Sequence, residues 1–180
     1  MDVNSKEYLE ENIDCCKRNF EGRHCINLPE RYVIINHFSL GARSILSVGS
    51  GGHEPLKIHA THACDIAPNA EGFLRSLGWG GEFKCCSCTD LPYPTKSFDV
   101  AVCSEVIEHL PTEQDIMKTF EELDRVANKW IVTTIAAPRG KFNPEITHKH
   151  DFTFEKLVGM LSKFKVYIYQ KENFFYVEKA

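Results

Sequence analysis

The amino-acid sequence predicts a single α/β domain built on a mostly parallel, seven-stranded sheet with helices on both faces. Short apolar runs alternate with stretches of helical periodicity over residues 44–135, which is typical of a parallel sheet covered by helices. Two further strand-like runs, residues 166–169 and 174–177, are close enough to form a C-terminal antiparallel hairpin. A chain of 180 residues has room for one such core but not two.

The predicted elements follow from composition and spacing. Five strands are expected at residues 44–48, 62–66, 83–88, 98–103 and 130–135. The fourth is mostly apolar, as expected of a central strand buried on both faces. Helices are expected over residues 5–20, from Pro29 to Gly41, over residues 70–77, from Thr112 onwards and after Thr153, because proline, glycine and threonine commonly begin or end helices.

Composition argues against several classes of protein. The formal net charge of −4 argues against a constitutive nucleic-acid binder, which is usually basic. No apolar run reaches the ~18 residues that a membrane helix needs, and the polar, acidic residues 1–11 do not resemble a secretory signal. We therefore expect a cytoplasmic protein whose eight cysteines are free thiols. Cys85 and Cys88 have CxxC spacing but lack the second pair that a zinc knuckle requires.

A glycine-rich bend, SVGSGGH at residues 47–53, directly follows the first predicted strand. Glycines allow a sharp turn and a close approach of ligand to backbone, and amides at such a turn favour an anionic group. Asp65 ends the second predicted strand, where a carboxylate can accept hydrogen bonds from ribose hydroxyls. A tight turn without a ligand is the alternative interpretation of the bend alone, but the two features together indicate a nucleoside-containing ligand.

Residues 89–110, TDLPYPTKSFDVAVCSEVIEHL, closely resemble the class I S-adenosylmethionine (SAM)-dependent methyltransferases. Their pattern is D-L-P-F, then S-F-D, an apolar strand and E-x-x-x-H-L. The resemblance covers residues 44–180 and is nearest to the ubiquinone-biosynthesis O-methyltransferases. It implies a Rossmann-like core over residues 44–180, a helical cap over the substrate site formed by residues 1–43 of the same domain, and SAM as cofactor.

The resemblance also implies a cofactor site at the ends of four strands. The glycine bend matches the segment that holds the methionine part, Asp65 the ribose-binding acid, and its neighbour the apolar side chain that packs on adenine. The end of the third strand holds the adenine ring, and the end of the fourth lies beneath the sulfonium, facing the acceptor. The implied residues are Gly49, Ser50, Gly51, Gly52, Asp65, Ile66, Cys88, Thr89, Cys103, Ser104 and Glu105.

The sequence departs from the family pattern at three positions. Ser47 replaces the usual acid that helps to place the methionine amino group, His53 replaces the third glycine, and Ser87 replaces an acid that often contacts adenine. The segment between Gly52 and the second strand is also short, so the first crossover helix must be stunted. These departures keep open a third kind of function, a catalytically weak methyltransferase-like scaffold that binds a partner protein.

The leading prediction is methyl transfer to a small molecule. If the acceptor is a hydroxyl or an amine, a base can remove its proton, and Glu105, His109 and His150 are the candidates by position. The alternative is a metal-assisted RNA 2′-O-methyltransferase.

That alternative rests on possible metal ligands. Glu105, Glu108 and His109 are spaced to share one face at a helix start, and His148 and His150 follow the fifth strand. Carboxylates and imidazoles together suit a divalent cation, and the set resembles that of the small-RNA 3′-end methyltransferases. The same E-x-x-E-H-L pattern occurs in metal-free relatives, and the acidic charge disfavours RNA, so no metal is the favoured prediction.

Overall fold

The computed structural model of the protein describes residues 28–51, 53–136, 148–171 and 173–179; the predicted helix over residues 5–20 lies outside them. The α-helices of this part are α1 (Leu28–Phe38), α2 (Glu54–Lys57), α3 (Ala70–Ser76), α4 (Glu113–Val126) and α5 (Phe154–Met160). The strands are β1 (Ile45–Val48), β2 (His62–Asp65), β3 (Glu82–Cys85), β4 (Phe98–Ser104), β5 (Ala127–Ile135), β6 (Tyr167–Lys171) and β7 (Phe174–Lys179).

The seven strands form one sheet in the order β3-β2-β1-β4-β5-β7-β6. Strands β1 to β5 pair in parallel, and β7 is antiparallel to both β5 and β6. The predicted mixed sheet with its terminal hairpin is therefore confirmed. The strand order reverses between β1 and β4, and in open parallel sheets ligands bind outside the carboxyl ends of the strands at this point. We call the edge at which β1, β2, β4 and β5 end the carboxyl edge.

Helices pack on both faces of the sheet. On one face, α4 and α5 cover a core that contains the fully buried Phe120 and Trp130. On the other face, Tyr32 and Ile35 of α1 pack with Val102 of β4. Full burial of one large apolar side chain contributes about 1.5–3 kcal/mol. The packing of α1 also brings its polar residues to the carboxyl edge.

The helix starts follow the predicted capping residues. The Thr112 hydroxyl accepts a hydrogen bond from the amide of Asp115 at 3.1 Å, and α4 begins at Glu113, directly after Thr112. Thr153 caps α5 in the same way through the amide of Lys156. Side-chain acceptors at these positions satisfy amides that would otherwise lack partners. The stunted first crossover helix is confirmed as well, because α2 has only four residues.

Several predicted details of the elements are wrong. Strand β5 begins at Ala127 rather than at residue 130. Strand β3 ends at Cys85 rather than at residue 88, because the Ser87 hydroxyl bonds to the amide and hydroxyl of Thr89 and starts a turn. The stretch after β4 is a single 3₁₀ turn, Ile107–His109, and not the start of an α-helix. Glu105 precedes that turn with a φ of 58°, so it does not share a helix face with Glu108 and His109.

No helix in the described part of the chain is long and apolar enough to cross a membrane.

Candidate functional site

The glycine bend and Asp65 meet at the carboxyl edge. Gly49 and Gly51 have φ values of 68° and 55°, in the left-handed region that favours glycine. The amide of Gly51 donates to Asp65 Oδ2 at 3.0 Å, and the amide of Ala67 donates to Oδ1 at 2.8 Å. Asp65 is 7% exposed, and each of its oxygens keeps a second lone pair for a ligand hydroxyl.

The bend amides are used differently from the sequence-based expectation. The amides of Gly49 and Ser50 both donate to the carbonyl of Cys64, at 2.9 and 3.1 Å. This pair of bonds ties the bend to β2 and fixes its shape. With these amides engaged within the protein, an anionic ligand group needs another donor at this edge. Gly52 lies outside the described residues.

The bend has features that fit a bound ligand. The Ser50 hydroxyl is buried and has no hydrogen-bond partner in the described part of the chain, and buried polar atoms are nearly always paired. A Cβ added to Gly49 would lie 2.4 Å from Cγ2 of Val106, so only glycine lets the backbone pass this close. The bend, the carboxylate of Asp65 and the unpaired Ser50 hydroxyl fit the nucleoside and methionine parts of SAM.

The residues predicted to surround adenine lie in the segments that follow β2 and β3. Ile66 is 44% exposed, an apolar side chain left open next to Asp65. Cys88 and Thr89 do not end β3 as predicted; they lie in the turn that follows it, three and four residues beyond Cys85. The Cys88 thiol accepts a hydrogen bond from the Thr119 hydroxyl at 3.3 Å, so it faces α4.

The three residues predicted at the end of β4 lie in different surroundings, some in the core and one at the site. The Cys103 side chain is fully buried in the core under α4 and α5, and burial raises the pKa of its thiol well above the usual range. The Ser104 hydroxyl pairs with that of Thr133 at 2.8 Å. Of the three, Glu105 has a charged group at the carboxyl edge.

Glu105 is held in an unusual backbone conformation. Its φ of 58° is rare for a residue with a side chain, and such strain is concentrated at functional sites. The amide of Glu105 donates to the Thr133 carbonyl at 3.0 Å, and the Thr133 hydroxyl donates to its carboxylate at 3.1 Å. Burial raises the pKa of Glu105, and the nearby Arg31 opposes that rise.

Arg31 and Glu54 are site residues that the sequence analysis did not select. Arg31 extends from α1 so that its Nη1 lies 3.7 Å from Oε1 of Glu105, and its buried Nε has no hydrogen-bond partner within the described ranges. Glu54, the first residue of α2, is 6% exposed and accepts a hydrogen bond from the Ser47 hydroxyl at 2.9 Å. Burial raises the pKa of Glu54 to about 7.

These two residues carried little sequence signal. One arginine in a helix and one glutamate after a bend are commonplace, and only the fold places them at the same edge. The position of Ser47 was the available signal, because a missing acid invites a search for a replacement nearby.

A second group of titratable side chains lies beside Glu105. One possible ligand atom from each of Glu108, His109 and His148 falls within 4.8 Å of the others. Glu108 is 1% exposed; its Oε2 accepts a hydrogen bond from Thr134 at 2.9 Å, and its Oε1 has no such partner in the part that the structure describes. Burial raises the pKa of Glu108 well above the usual range, and Glu105 raises it further.

His150, predicted as a metal ligand and base candidate, is not part of this group. Its Nε2 lies 2.9 Å from the carbonyl oxygen of Leu110. His148 occupies the place instead, with its ring centroid 4.6 Å from that of His109. The amides of Lys149 and His150 both donate to the Glu108 carbonyl, which fixes the segment after β5 against the 3₁₀ turn.

Comparison with known proteins agrees with this geometry. Residues 46–129 match the model of a family described as a methyltransferase domain. The sequence has no match among the curated proteins.

Solved structures share the fold at low identity. A SAM-dependent methyltransferase from Aquifex aeolicus is 17% identical, with a TM-score of 0.62 over 84% of this chain and 88% of its own. The N-methyltransferase NodS from Bradyrhizobium japonicum, solved with S-adenosylhomocysteine, is 15% identical, with a TM-score of 0.62 over 83% and 85%. The [4+2]-cyclase SpnF has a TM-score of 0.63 at 17% identity, over 78% of this chain and 57% of its own.

The family match indicates a methyltransferase domain over residues 46–129, and the seven-stranded sheet has the fold of solved SAM-dependent methyltransferases. The nearer likeness to the ubiquinone-biosynthesis enzymes stays a prediction.

Proposed function

We propose that the protein transfers the methyl group of SAM to a hydroxyl or amine of a small molecule at the carboxyl edge. The observation that carries this proposal is a set of three buried polar atoms without hydrogen-bond partners among the described residues: Ser50 Oγ, Arg31 Nε and Glu108 Oε1. All three lie at the carboxyl edge, and unpaired buried polar atoms are costly, so we infer that ligands complete them.

The cofactor-binding residues follow from this arrangement. The bend from Gly49 to Gly51 would line the methionine part and the adjoining ribose of SAM, the carboxylate of Asp65 would hold the ribose, and Ile66 would pack on adenine. Arg31 supplies a guanidinium suited to the carboxylate of the methionine part. Bound SAM supplies a methyl group already activated by its positive sulfur.

The chain's remaining task is to align the acceptor, exclude water and accept its proton. Positioning of this kind can account for about 7–11 kcal/mol of barrier reduction. We infer that Glu105 is the base, because burial raises its pKa and general bases act best with a pKa near the working pH. His109 remains the second candidate, whereas the His150 ring faces the Leu110 carbonyl.

A small acceptor fits the charges of this edge better than RNA does. Glu54, Glu105 and Glu108 lie buried or partly buried here with Arg31, and the chain carries a net charge of −4. Phosphate backbones are bound by basic surfaces. The role of residues 1–43 as a cap and a cytoplasmic location stay predictions.

The test combines binding and turnover. Isothermal titration of the purified protein with SAM is expected to show one site, and radiolabelled SAM is then offered with a catechol, a primary amine and a thiol. Glu105→Gln is expected to lower the methyl-transfer rate at saturating SAM about 10²–10⁴-fold. Absence of SAM binding would favour the scaffold alternative, and unchanged turnover in the variant would remove Glu105 as the base.

A second candidate is metal-assisted methyl transfer, and the convergence of Glu108, His109 and His148 favours it. One carboxylate and two imidazoles suit Mn²⁺, Fe²⁺ or Zn²⁺. Chelator-treated protein is titrated with Mn²⁺, with Glu108→Gln as the test and the exposed Glu113→Gln as the matched control. Metal-assisted transfer requires that Mn²⁺ binds with 1:1 stoichiometry and that Glu108→Gln, but not Glu113→Gln, weakens this binding. It also requires metal-dependent methylation of a small RNA 3′ end. A titration in which Mn²⁺ releases or absorbs no heat would exclude this candidate.

A further inference from the structure

Glu54 is a buried acid in an unexpected place. It begins the stunted helix α2, yet its carboxylate reaches back across the glycine bend to β1. There its Oε1 accepts the hydrogen bond from the Ser47 hydroxyl, seven residues earlier, at 2.9 Å. The Ser104 side chain, at the end of β4, also interacts with this carboxyl group and lowers its pKa. Glu54 therefore lies between the two central strands of the carboxyl edge.

The location coincides with the acid that this chain lacks at position 47. A carboxylate on residue 47 would extend about one bond beyond the position of the Ser47 hydroxyl. Glu54 Oε1 is hydrogen-bonded to that hydroxyl, so a carboxylate oxygen stands next to the place where an acid at position 47 would put its own. The short crossover segment makes this exchange possible, because α2 starts immediately after the bend.

The charges around Glu54 leave a gap for a cation. Arg31 is the neighbouring positive group, and it also faces Glu105. His53 does not add a second charge, since burial and Arg31 lower its pKa to about 4. Two ionised carboxylates facing one guanidinium would leave a buried negative charge uncompensated, which is costly. Burial accordingly raises the pKa of both carboxyl groups.

SAM has the complementary set of charges. It carries an ammonium and a sulfonium, both positive, and one carboxylate. The carboxylates of Glu54 and Glu105 and the guanidinium of Arg31 are equal in number and opposite in sign to these three charges. A paired buried charge is stabilised where an isolated one is not.

We propose that Glu54, rather than a residue of β1, receives the ammonium group of the methionine part of SAM. This inference rests on the proposed binding of SAM at the carboxyl edge. In this arrangement a carboxylate on α2 takes the role of the acid that the family has on β1, and the Ser47 hydroxyl orients that carboxylate. The departure at Ser47 is thereby compensated within the same site.

The experiment compares SAM with 5′-methylthioadenosine, which has the same nucleoside but no ammonium group, by isothermal titration. Glu54→Gln is expected to weaken SAM about 10-fold to 100-fold, the range for a lost charge-assisted hydrogen bond, and to leave 5′-methylthioadenosine within about twofold. Ser47→Asp/Glu54→Gln, which moves the acid to β1, is expected to recover most of the SAM affinity. Glu54→Asp retracts the carboxylate while keeping its charge, so it guards against misfolding of the glutamine variant and should show an intermediate loss.

The outcomes separate this inference from the proposed function. If neither ligand binds the wild-type protein, the proposed function fails. If both bind and Glu54→Gln weakens them equally or not at all, SAM use stands and the role of Glu54 is overturned. A double variant no better than Glu54→Gln overturns the exchange of positions.

Discussion

The carboxyl edge has two halves, one formed mainly by backbone groups and the other mainly by charged side chains. The half that we propose binds the nucleoside, which we call the nucleoside half, is formed by residues 49–51, Asp65 and Ile66. It relies on the backbone: two glycines with positive φ and amides that bond to Cys64 and Asp65. The half that we propose carries out the transfer, which we call the transfer half, is formed by Arg31, Glu54, Glu105, Glu108, His109 and His148. It relies on side chains from four separate segments. In the first half shape is fixed locally, whereas in the second charge is gathered from distant parts of the chain.

The difference teaches where each half is vulnerable. In the nucleoside half, a substitution that adds a side chain where there is no room distorts the backbone by steric clash. A gathered set of charges fails through protonation or through loss of one member, because each group balances another. The following substitutions separate these two kinds of failure.

The largest effect is expected from Gly49→Ala in the nucleoside half. The new Cβ would lie 2.4 Å from Cγ2 of Val106, a stiff β-branched side chain, and would sit at a φ of 68°. Left-handed strain of about 1–2 kcal/mol adds to overpacking of about 1–3 kcal/mol. Urea unfolding should show the sum. Gly78→Ala, with a φ of 83° and no atom within 4 Å of its Cβ, should show the strain alone; equal losses in the two variants would contradict the steric account.

The next effect lies in the transfer half and depends on pH. Burial raises the pKa of Glu54 to about 7 in the folded protein without SAM, against an ordinary value near 4.5. The folded state thus holds a proton that the unfolded chain releases. This stabilisation is complete below pH ~4.5 and is lost as the pH rises through ~7, by up to about 3 kcal/mol.

Glu54→Gln cannot titrate, so it isolates this effect. Unfolding free energies of wild type and variant, measured from pH 4.5 to 8, should shift in favour of the variant as the pH rises. Glu155→Gln, on the exposed surface of α5, is the control and should track the wild type. A difference that does not change with pH would mean that Glu54 stays ionised in the folded protein.

A smaller effect is expected on SAM affinity from Asp65→Asn. The asparagine side chain lacks the negative charge that would face the ribose hydroxyls, and a charge-assisted hydrogen bond contributes about 1.5–3 kcal/mol. Asp99→Asn is the matched control, because Asp99 also accepts two backbone amides, those of Arg43 and Ser44, but at the opposite end of the sheet. Titration with SAM should weaken for Asp65→Asn alone, and a matching loss in Asp99→Asn would point to general destabilisation.

The smallest effect is expected from Ile66→Ala. Ile66 is 44% exposed, and losing part of its contact with adenine should cost about 1 kcal/mol, or roughly fivefold in SAM affinity. Val158→Ala on α5 starts from an equal exposure of 45% and should leave SAM affinity unchanged. Were the two variants to bind SAM alike, Ile66 would not be the adenine platform.

The fold and the glycine bend could be predicted from the sequence because both depend on local patterns of residues. Alternating apolar and helical periods predicted the sheet, and two glycines with Asp65 marked the bend. The boundary of β3 was missed because the side-chain turn at Ser87 ends the strand before its apolar pattern does.

The transfer half was only partly visible. Glu105, Glu108 and His109 are close in sequence and were found, but their relation changed because a 3₁₀ turn replaces the expected helix. His148 rather than His150 joins Glu108, a choice set by the carbonyl of Leu110 and by backbone bonds to Glu108. Arg31 and Glu54 depend on the packing of α1 and the shortness of α2, which no local pattern reports.

The position of Arg31 on α1 bears on how the protein can be divided. The family match begins at residue 46, and a fragment trimmed to that limit would retain the bend and Asp65 but lose the guanidinium that faces Glu105. Such a fragment would keep an acidic edge with no resident cation. If Arg31 binds SAM as we propose, the working unit extends beyond the matched segment, and α1 takes part in binding as well as in packing.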